Sequence, residues 1–145
     1  MTDKLILLTG ISGFIAKHCA VELLRAGYRV RGTVRDMARA DKVRATLAKH
    51  SDVAKLEFVE ADLLSDAGWS EAANGVYGVL HVASPFIIEE PTDENELIRP
   101  AVDGTMRVLK AAIAAGAKRF VQTSSIAAIM AGHGYTRTKP FNEDD

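Results

Sequence analysis

The chain opens on an unbroken apolar run, Leu5-Ile6-Leu7-Leu8, that breaks at once into Thr9-Gly10-Ile11-Ser12-Gly13-Phe14-Ile15-Ala16. Four consecutive apolar residues ahead of a turn signal describe a strand covered on both faces, the kind found inside a parallel sheet. Gly10 permits a tight turn, Gly13 lets backbone approach a ligand closely, and the small Ala16 lets the next helix pack against the strand. That helix points its unpaired N–H groups and partial positive charge into the turn, where a dinucleotide pyrophosphate is the fitting guest. Gly-x-x-Gly-x-x-Ala alone is a weak signal; its place at a strand–turn–helix junction gives it weight.

Strand and helix patterns alternate through the rest of the chain. Ile15, Cys19, Leu23 and Leu24 carry helical spacing over 15–26, closed by Gly27. A second strand is expected over 28–34, and Asp36 is a plausible N-cap for a helix over 38–49. A third strand over 55–60, a short helix over 66–74 and a fourth strand over 76–83 follow, the last ended by Pro85. Asp93 caps a long helix reaching 115, with Pro100 an irregularity inside it, and Gly116 closes it. A fifth strand covers 119–123. Beyond Ser125 the pattern dissolves, and Gly132, Gly134, Pro140 and Glu143-Asp144-Asp145 read as an exposed loop.

Such alternation requires an α/β fold: a Rossmann-type, doubly wound parallel sheet with helices on both faces and right-handed crossovers. The expected strand order is 3-2-1-4-5, with a ligand crevice between strands 1 and 4 at their carboxyl ends. The glycine turn, Ala83-Ser84-Pro85 and Thr123-Ser124-Ser125 all fall at those ends. A length of 145 residues suits one domain, and a net charge of −1 offers nothing to nucleic acid or an anionic membrane. No apolar stretch reaches membrane-spanning length, and the single cysteine, Cys19, reads as a packed thiol in a reduced, cytoplasmic protein. His18, His50, His81 and His133 lack metal-ligand spacing, so no metal is assigned, and His81 reads as a packed strand residue. Ser124-Ser125 lacks the Gly-x-Ser-x-Gly elbow of a hydrolase.

The end of strand 2 chooses the cofactor. An acidic residue there accepts from a free ribose 2′-hydroxyl, whereas arginine accommodates a 2′-phosphate. The strand ends Val34-Arg35, and Asp36 arrives one place later, where capping explains it. Arg35 can offer a bidentate fork, and Lys42 lies about two turns into the next helix. The residues therefore favour NADP(H) over NAD(H). At the end of strand 3, Asp62 and Leu63 are placed to flank an adenine, the carboxylate accepting from its amino group and the leucine packing on the ring. An N-cap explanation for Asp62 stays open.

These segments, together with Leu80-His81-Val82-Ala83-Ser84-Pro85, Ala101-Val102-Asp103-Gly104-Thr105 and Arg119-Phe120-Val121-Gln122-Thr123-Ser124-Ser125, resemble the extended short-chain dehydrogenase/reductases, in the branch of dihydroflavonol reductase, cinnamoyl-CoA reductase and aldehyde or ketone reductases. The resemblance implies NADPH held by the glycine loop through Thr9, Gly10, Ser12, Gly13, Phe14 and Ile15. It further implies 2′-phosphate contacts from Arg35 and Lys42 and adenine contacts from Asp62 and Leu63. Val82, Ala83, Ser84, Thr123 and Ser124 would serve the nicotinamide side, and Ser125 would be the catalytic serine that hydrogen-bonds the oxygen of a small-molecule carbonyl substrate. A non-catalytic NADP(H)-sensing module and a nucleotide-sugar epimerase or dehydratase of the same superfamily are the alternatives. A sensor needs no hydroxyl beside the nicotinamide, and Val82-Ala83-Ser84-Pro85 points away from the epimerases.

The family protonates the reduced oxygen with a tyrosine, paired with a lysine four residues later on a helix. Tyr135-Thr136-Arg137-Thr138-Lys139 has that spacing, yet Pro140 disfavours helical geometry at Lys139, and Gly132 and Gly134 precede the tyrosine. The interval from Ser125 is also shorter than the family pattern, so the pair reads as a chance match. The chain then resembles the first half of a reductase, inactive by itself, with one sheet face uncovered near strands 4 and 5. Exposed apolar area of that kind drives association, so self-association is expected; the resemblance implies a homodimer built on both the long fourth helix and the Tyr-x-x-x-Lys helix, and that alternative stays open.

Overall fold

A computed structural model describes residues 3–85, 91–132, 137–142 and 144. Its centre is the apolar run: β1 (Leu5–Leu8) is buried along its whole length. On one side it pairs with β2 (Arg29–Val34), which pairs in turn with β3 (Leu56–Glu60); on the other it pairs with β4 (Gly78–His81), which pairs with β5 (Arg119–Gln122). All neighbours run parallel, and the order is β3-β2-β1-β4-β5, as expected.

Alternate residues of β1 face opposite layers. Leu8 packs with Ala16, Ala20 and Leu24 of α1 (Phe14–Arg25) and with Val43 and Leu47 of α2 (Ala40–Leu47). Leu5 and Leu7 pack with Trp69 and Ala72 of α3 (Trp69–Ala73) and with Val108 and Ala112 of α4 (Asn95–Ala114). The sheet is thus sandwiched between two helix layers, the arrangement a parallel sheet needs.

Several boundaries differ from the sequence reading, each for a physical reason. The buried face of α1 is built from Ala16, Ala20, Val21 and Leu24, small enough for close approach; Ile15 stands exposed instead of joining it. Asp36 does cap, but what it caps is a 3-10 turn over Met37–Arg39 that leads into α2. β4 stops at His81 because the next two backbone N–H groups, of Val82 and Ala83, turn to the side chain of Thr9. α3 begins at Trp69, since residues 62–66 are held in a loop: Asp62 accepts from the Leu64 N–H, and the Trp69 indole donates to the carbonyls of Asp62 and Ser65. α4 runs on through Pro100. Past Ser125 stands a short helix, α5 (Ile126–Met130), where the sequence reads as loop. The exposure expected near β4 and β5 falls on β5, where Val121 is 57% exposed.

Candidate cofactor-binding cleft

The carboxyl ends of β1, β2, β3 and β4 enclose a cleft of about 480 Å³, within the range of small-molecule sites. Its floor is the glycine turn. The Gly10 N–H donates to Thr33 Oγ1 at 2.9 Å, the Ile11 N–H to the Thr33 carbonyl at 3.1 Å, and the Gly13 N–H to the Gly10 carbonyl at 2.8 Å. The turn is therefore stitched to the end of β2. Gly10 adopts a positive φ of 65°, and a Cβ there would stand 2.9 Å from the Cβ of Ala83, so both conformation and space demand glycine. Gly13 begins α1 with no side-chain cap, leaving the first-turn N–H groups of the helix to whatever anion enters.

Of the residues singled out in the sequence, Gly10, Ser12, Gly13, Phe14 and Ile15 line the cleft from the turn, and Arg35 lines it from the end of β2. Asp62 and Leu63 line it from the end of β3, and Val82, Ala83 and Ser84 from the end of β4. Phe14 is 79% exposed, and its ring stacks edge-on against His18 at 4.8 Å. Among the described residues Arg35 has no hydrogen-bond or ion-pair partner. The neighbouring Asp36 carboxylate is engaged by the Ala38 N–H at 2.8 Å and stays out of the lining.

Four groups fall elsewhere. Thr9 is fully buried behind the turn, so its role is to hold the wall rather than to touch a ligand. Lys42 is exposed on α2 and outside the lining residues. Thr123, Ser124 and Ser125 are exposed beyond β5, also outside the lining. They follow directly on the pairing of His81 with Gln122, and the Thr123 N–H donates to the His81 carbonyl at 3.0 Å, so this segment leaves the sheet next to Val82. Ser125 Oγ accepts from the Ala127 N–H at 3.2 Å and so caps α5. Lys139 lies in irregular backbone, its carbonyl accepting from Arg137 Nε; Tyr135 lies outside the described residues.

Thr33 and Trp69 also line the cleft, and Arg107 braces it from outside. Thr33 orients the Gly10 amide, and Trp69, 3% exposed, braces the Asp62–Leu63 wall through its indole. Arg107 of α4 donates to the Leu63 carbonyl at 2.8 Å and pairs with the Asp66 carboxylate, tying the same loop to the opposite helix. None of these leaves a sequence pattern, because each partner lies in a different element. Among the described residues no group of three or more His, Cys, Asp or Glu is placed to hold a metal, and no helix is long and apolar enough to cross a membrane.

Comparison with known proteins agrees with this geometry. An uncharacterized oxidoreductase of Schizosaccharomyces pombe is 45% identical over 89% of this chain, which spans 39% of that protein. A dihydroflavonol 4-reductase of Hordeum vulgare is 39% identical over 86% of this chain, which spans 35% of it. Among solved structures, yeast methylglyoxal/isovaleraldehyde reductase Gre2, complexed with NADPH, superposes with a TM-score of 0.74 at 28% identity, covering 86% of this chain and 38% of its own. The chain thus spans well under half the length of each. The NAD dependent epimerase/dehydratase family matches residues 6–145, bearing out the resemblance carried by the motifs. The chain belongs to the NAD dependent epimerase/dehydratase family.

Proposed function

We propose that this chain is the NADP(H)-binding portion of an oxidoreductase that reduces the carbonyl of a small ketone or aldehyde by hydride transfer. The mouth of the cleft at the end of β2 carries the reading: Arg35 lines it without a partner among the described residues, while the Asp36 carboxylate is turned to the Ala38 amide. A guanidinium there grips a 2′-phosphate through parallel bonds, whereas a free 2′-hydroxyl finds no acceptor. The uncapped start of α1 and the bare glycine turn suit the pyrophosphate. The yeast reductase complexed with NADPH supports the same assignment.

When bound, the cofactor supplies a hydride. Arg35 and the glycine turn fix its adenosine end, and Asp62 and Leu63 flank the base. Val82, Ala83 and Ser84 wall the nicotinamide end. Ser125 gives its lone pair to the Ala127 N–H and keeps its O–H for a carbonyl oxygen. The developing alkoxide also needs an acid. Lys139 sits in irregular backbone followed by Pro140, so we place the Tyr135–Lys139 pair outside the chemistry. On this reading the 145-residue chain binds cofactor without turning over a carbonyl.

Titration of the purified chain with NADPH and NADH, repeated with Arg35→Ala, tests the proposal. NADPH is expected to bind more tightly. Arg35→Ala should remove about 1.5–3 kcal/mol of that affinity, roughly 10- to 150-fold, and leave NADH unchanged. Equal affinities, or NADPH binding indifferent to the substitution, would overturn it.

A further inference from the structure

A buried hydroxyl at the end of β1 has three partners. Thr9 Oγ1 stands 3.0 Å from the backbone nitrogen of Val82, 3.0 Å from that of Ala83 and 2.9 Å from His81 Nδ1. The two backbone groups can only donate, so they occupy both lone pairs of the oxygen. The hydroxyl hydrogen then has one acceptor left, His81 Nδ1, which must be unprotonated to receive it. A neutral imidazole with a bare Nδ1 carries its hydrogen on Nε2. Nε2 in turn faces Thr105 Oγ1 of α4 at 3.4 Å, within reach of a donated hydrogen. The surroundings agree: the ring is buried, its centroid lies 6.0 Å from that of Phe120, and burial pushes its pKa below the ordinary histidine value.

We infer that His81 is a positioning residue: held as the Nε2–H tautomer between Thr9 and Thr105, it aims the Thr9 hydroxyl so that its oxygen receives the Val82 and Ala83 N–H groups and fixes the β4 wall of the cleft. The inference deepens the cofactor reading above and rests on it for its consequence in binding. The wall has little latitude, because Ala83 already packs against the turn so closely that a Cβ on Gly10 would stand 2.9 Å from its own. An Nδ1–H tautomer would present a hydrogen to an oxygen with no lone pair free. One of the two backbone donors would then let go, and the Val82–Ala83 segment would lose its anchor.

Long-range ¹H–¹⁵N correlation spectra of the intact chain at neutral pH read the tautomer directly, with or without cofactor. The Nε2–H pattern is expected for His81; an Nδ1–H or imidazolium pattern would overturn the inference outright, whatever the variants do. His81→Phe keeps a ring of similar size but offers no acceptor, whereas His81→Asn returns an amide oxygen near the Nδ1 position. Amide exchange at Val82 and Ala83 should accelerate about tenfold in His81→Phe and return toward the native rate in His81→Asn, with NADPH affinity following the same order. Native exchange rates in His81→Phe, or no recovery in His81→Asn, would reduce His81 to packing. Should neither NADPH nor NADH bind the native chain, the cofactor reading fails, while the tautomer and the two amide rates still decide the role of His81.

Discussion

Gly32→Ala is a small substitution with a calculable penalty. Gly32 sits in β2 opposite Leu8 and Phe58 with no positive φ, so the backbone itself accepts alanine. Reduced freedom of the unfolded chain would even favour it by about 0.4–1 kcal/mol. The new methyl, however, would lie 2.4, 2.7 and 2.8 Å from Cδ1, Cγ2 and Cβ of Ile11. Ile11 is fully buried, and its N–H is tied to the Thr33 carbonyl at 3.1 Å, so it has nowhere to retreat without moving the glycine turn. Overpacking of this kind costs about 1–3 kcal/mol, leaving a net loss of roughly 0.5–2 kcal/mol and a fall in Tm of about 2–6 °C. Urea unfolding followed by the fluorescence of Trp69, the single tryptophan, measures it. Ile11→Val removes Cδ1, the atom in closest conflict, and costs about 0.5–1.5 kcal/mol alone. In the Gly32→Ala background it should cost less than it does alone, because the clash with Cδ1 is gone while those with Cγ2 and Cβ, at 2.7 and 2.8 Å, remain. A Gly32→Ala variant as stable as the native chain, or a double variant whose losses add within about 0.5 kcal/mol, would refute the reasoning.

Other expectations follow from the same contacts. Arg31 donates through Nε to Glu57 at 2.6 Å and through Nη1 to the carbonyls of Glu71, Ala72 and Asn74, clamping the end of α3 to the sheet; Arg31→Ala should lose about 1.5–3 kcal/mol in urea unfolding, with Arg31→Lys recovering only part. For His81, burial lowers the folded-state pKa below 6.5, and its contacts with Thr9, Thr105 and Phe120 bring no charge. The unfolded chain therefore binds the proton first, and stability should be full above pH 6.5 and fall as pH drops from there toward the folded pKa. His81→Asn should flatten that limb of a Tm–pH profile, and an unchanged slope would count against it. Finally, Ile98, Val102, Met106 and Ile113 form an exposed apolar row on α4, beside the face that buries Val108 and Ala112. Light scattering should show concentration-dependent association that Met106→Lys and Ile113→Lys weaken together.

The layout was legible where period and punctuation speak. Leu5–Leu8 ahead of the turn read as a covered strand, and helix–strand alternation with the glycine turn pointed to the strand order observed. Arg35, Asp62 and Val82 were placed at the cleft because the ends of parallel strands converge there. What escaped was side-chain chemistry between elements. Thr9 and His81 lie 72 positions apart and meet only because β1 and β4 are neighbours. The same hydroxyl shortened β4, an effect no strand propensity carries. α5 escaped for a different reason: five residues are too few to display a helical period, and its start depends on the Ser125 cap. Lys42, exposed on α2 and outside the cleft lining, shows that helical spacing fixes a position along the axis without deciding what the side chain overlooks.

The turn after β2 holds a base and an acid in consecutive places, and only one of them looks into the cleft. Asp36 is spent on the Ala38 amide, and the 3-10 turn over Met37–Arg39 depends on that bond. Which charge greets the ribose is therefore a matter of phase, not of inventory: the ingredients for either preference are already present, one residue out of step. Replacing Arg35 by an acid would crowd two carboxylates at one bend, whereas shortening β2 by a single residue would slide Asp36 into the opening and leave the capping place to Met37, which has no oxygen to fill it. On the proposed reading of Arg35, selectivity for a phosphate would be stored in the length of a strand.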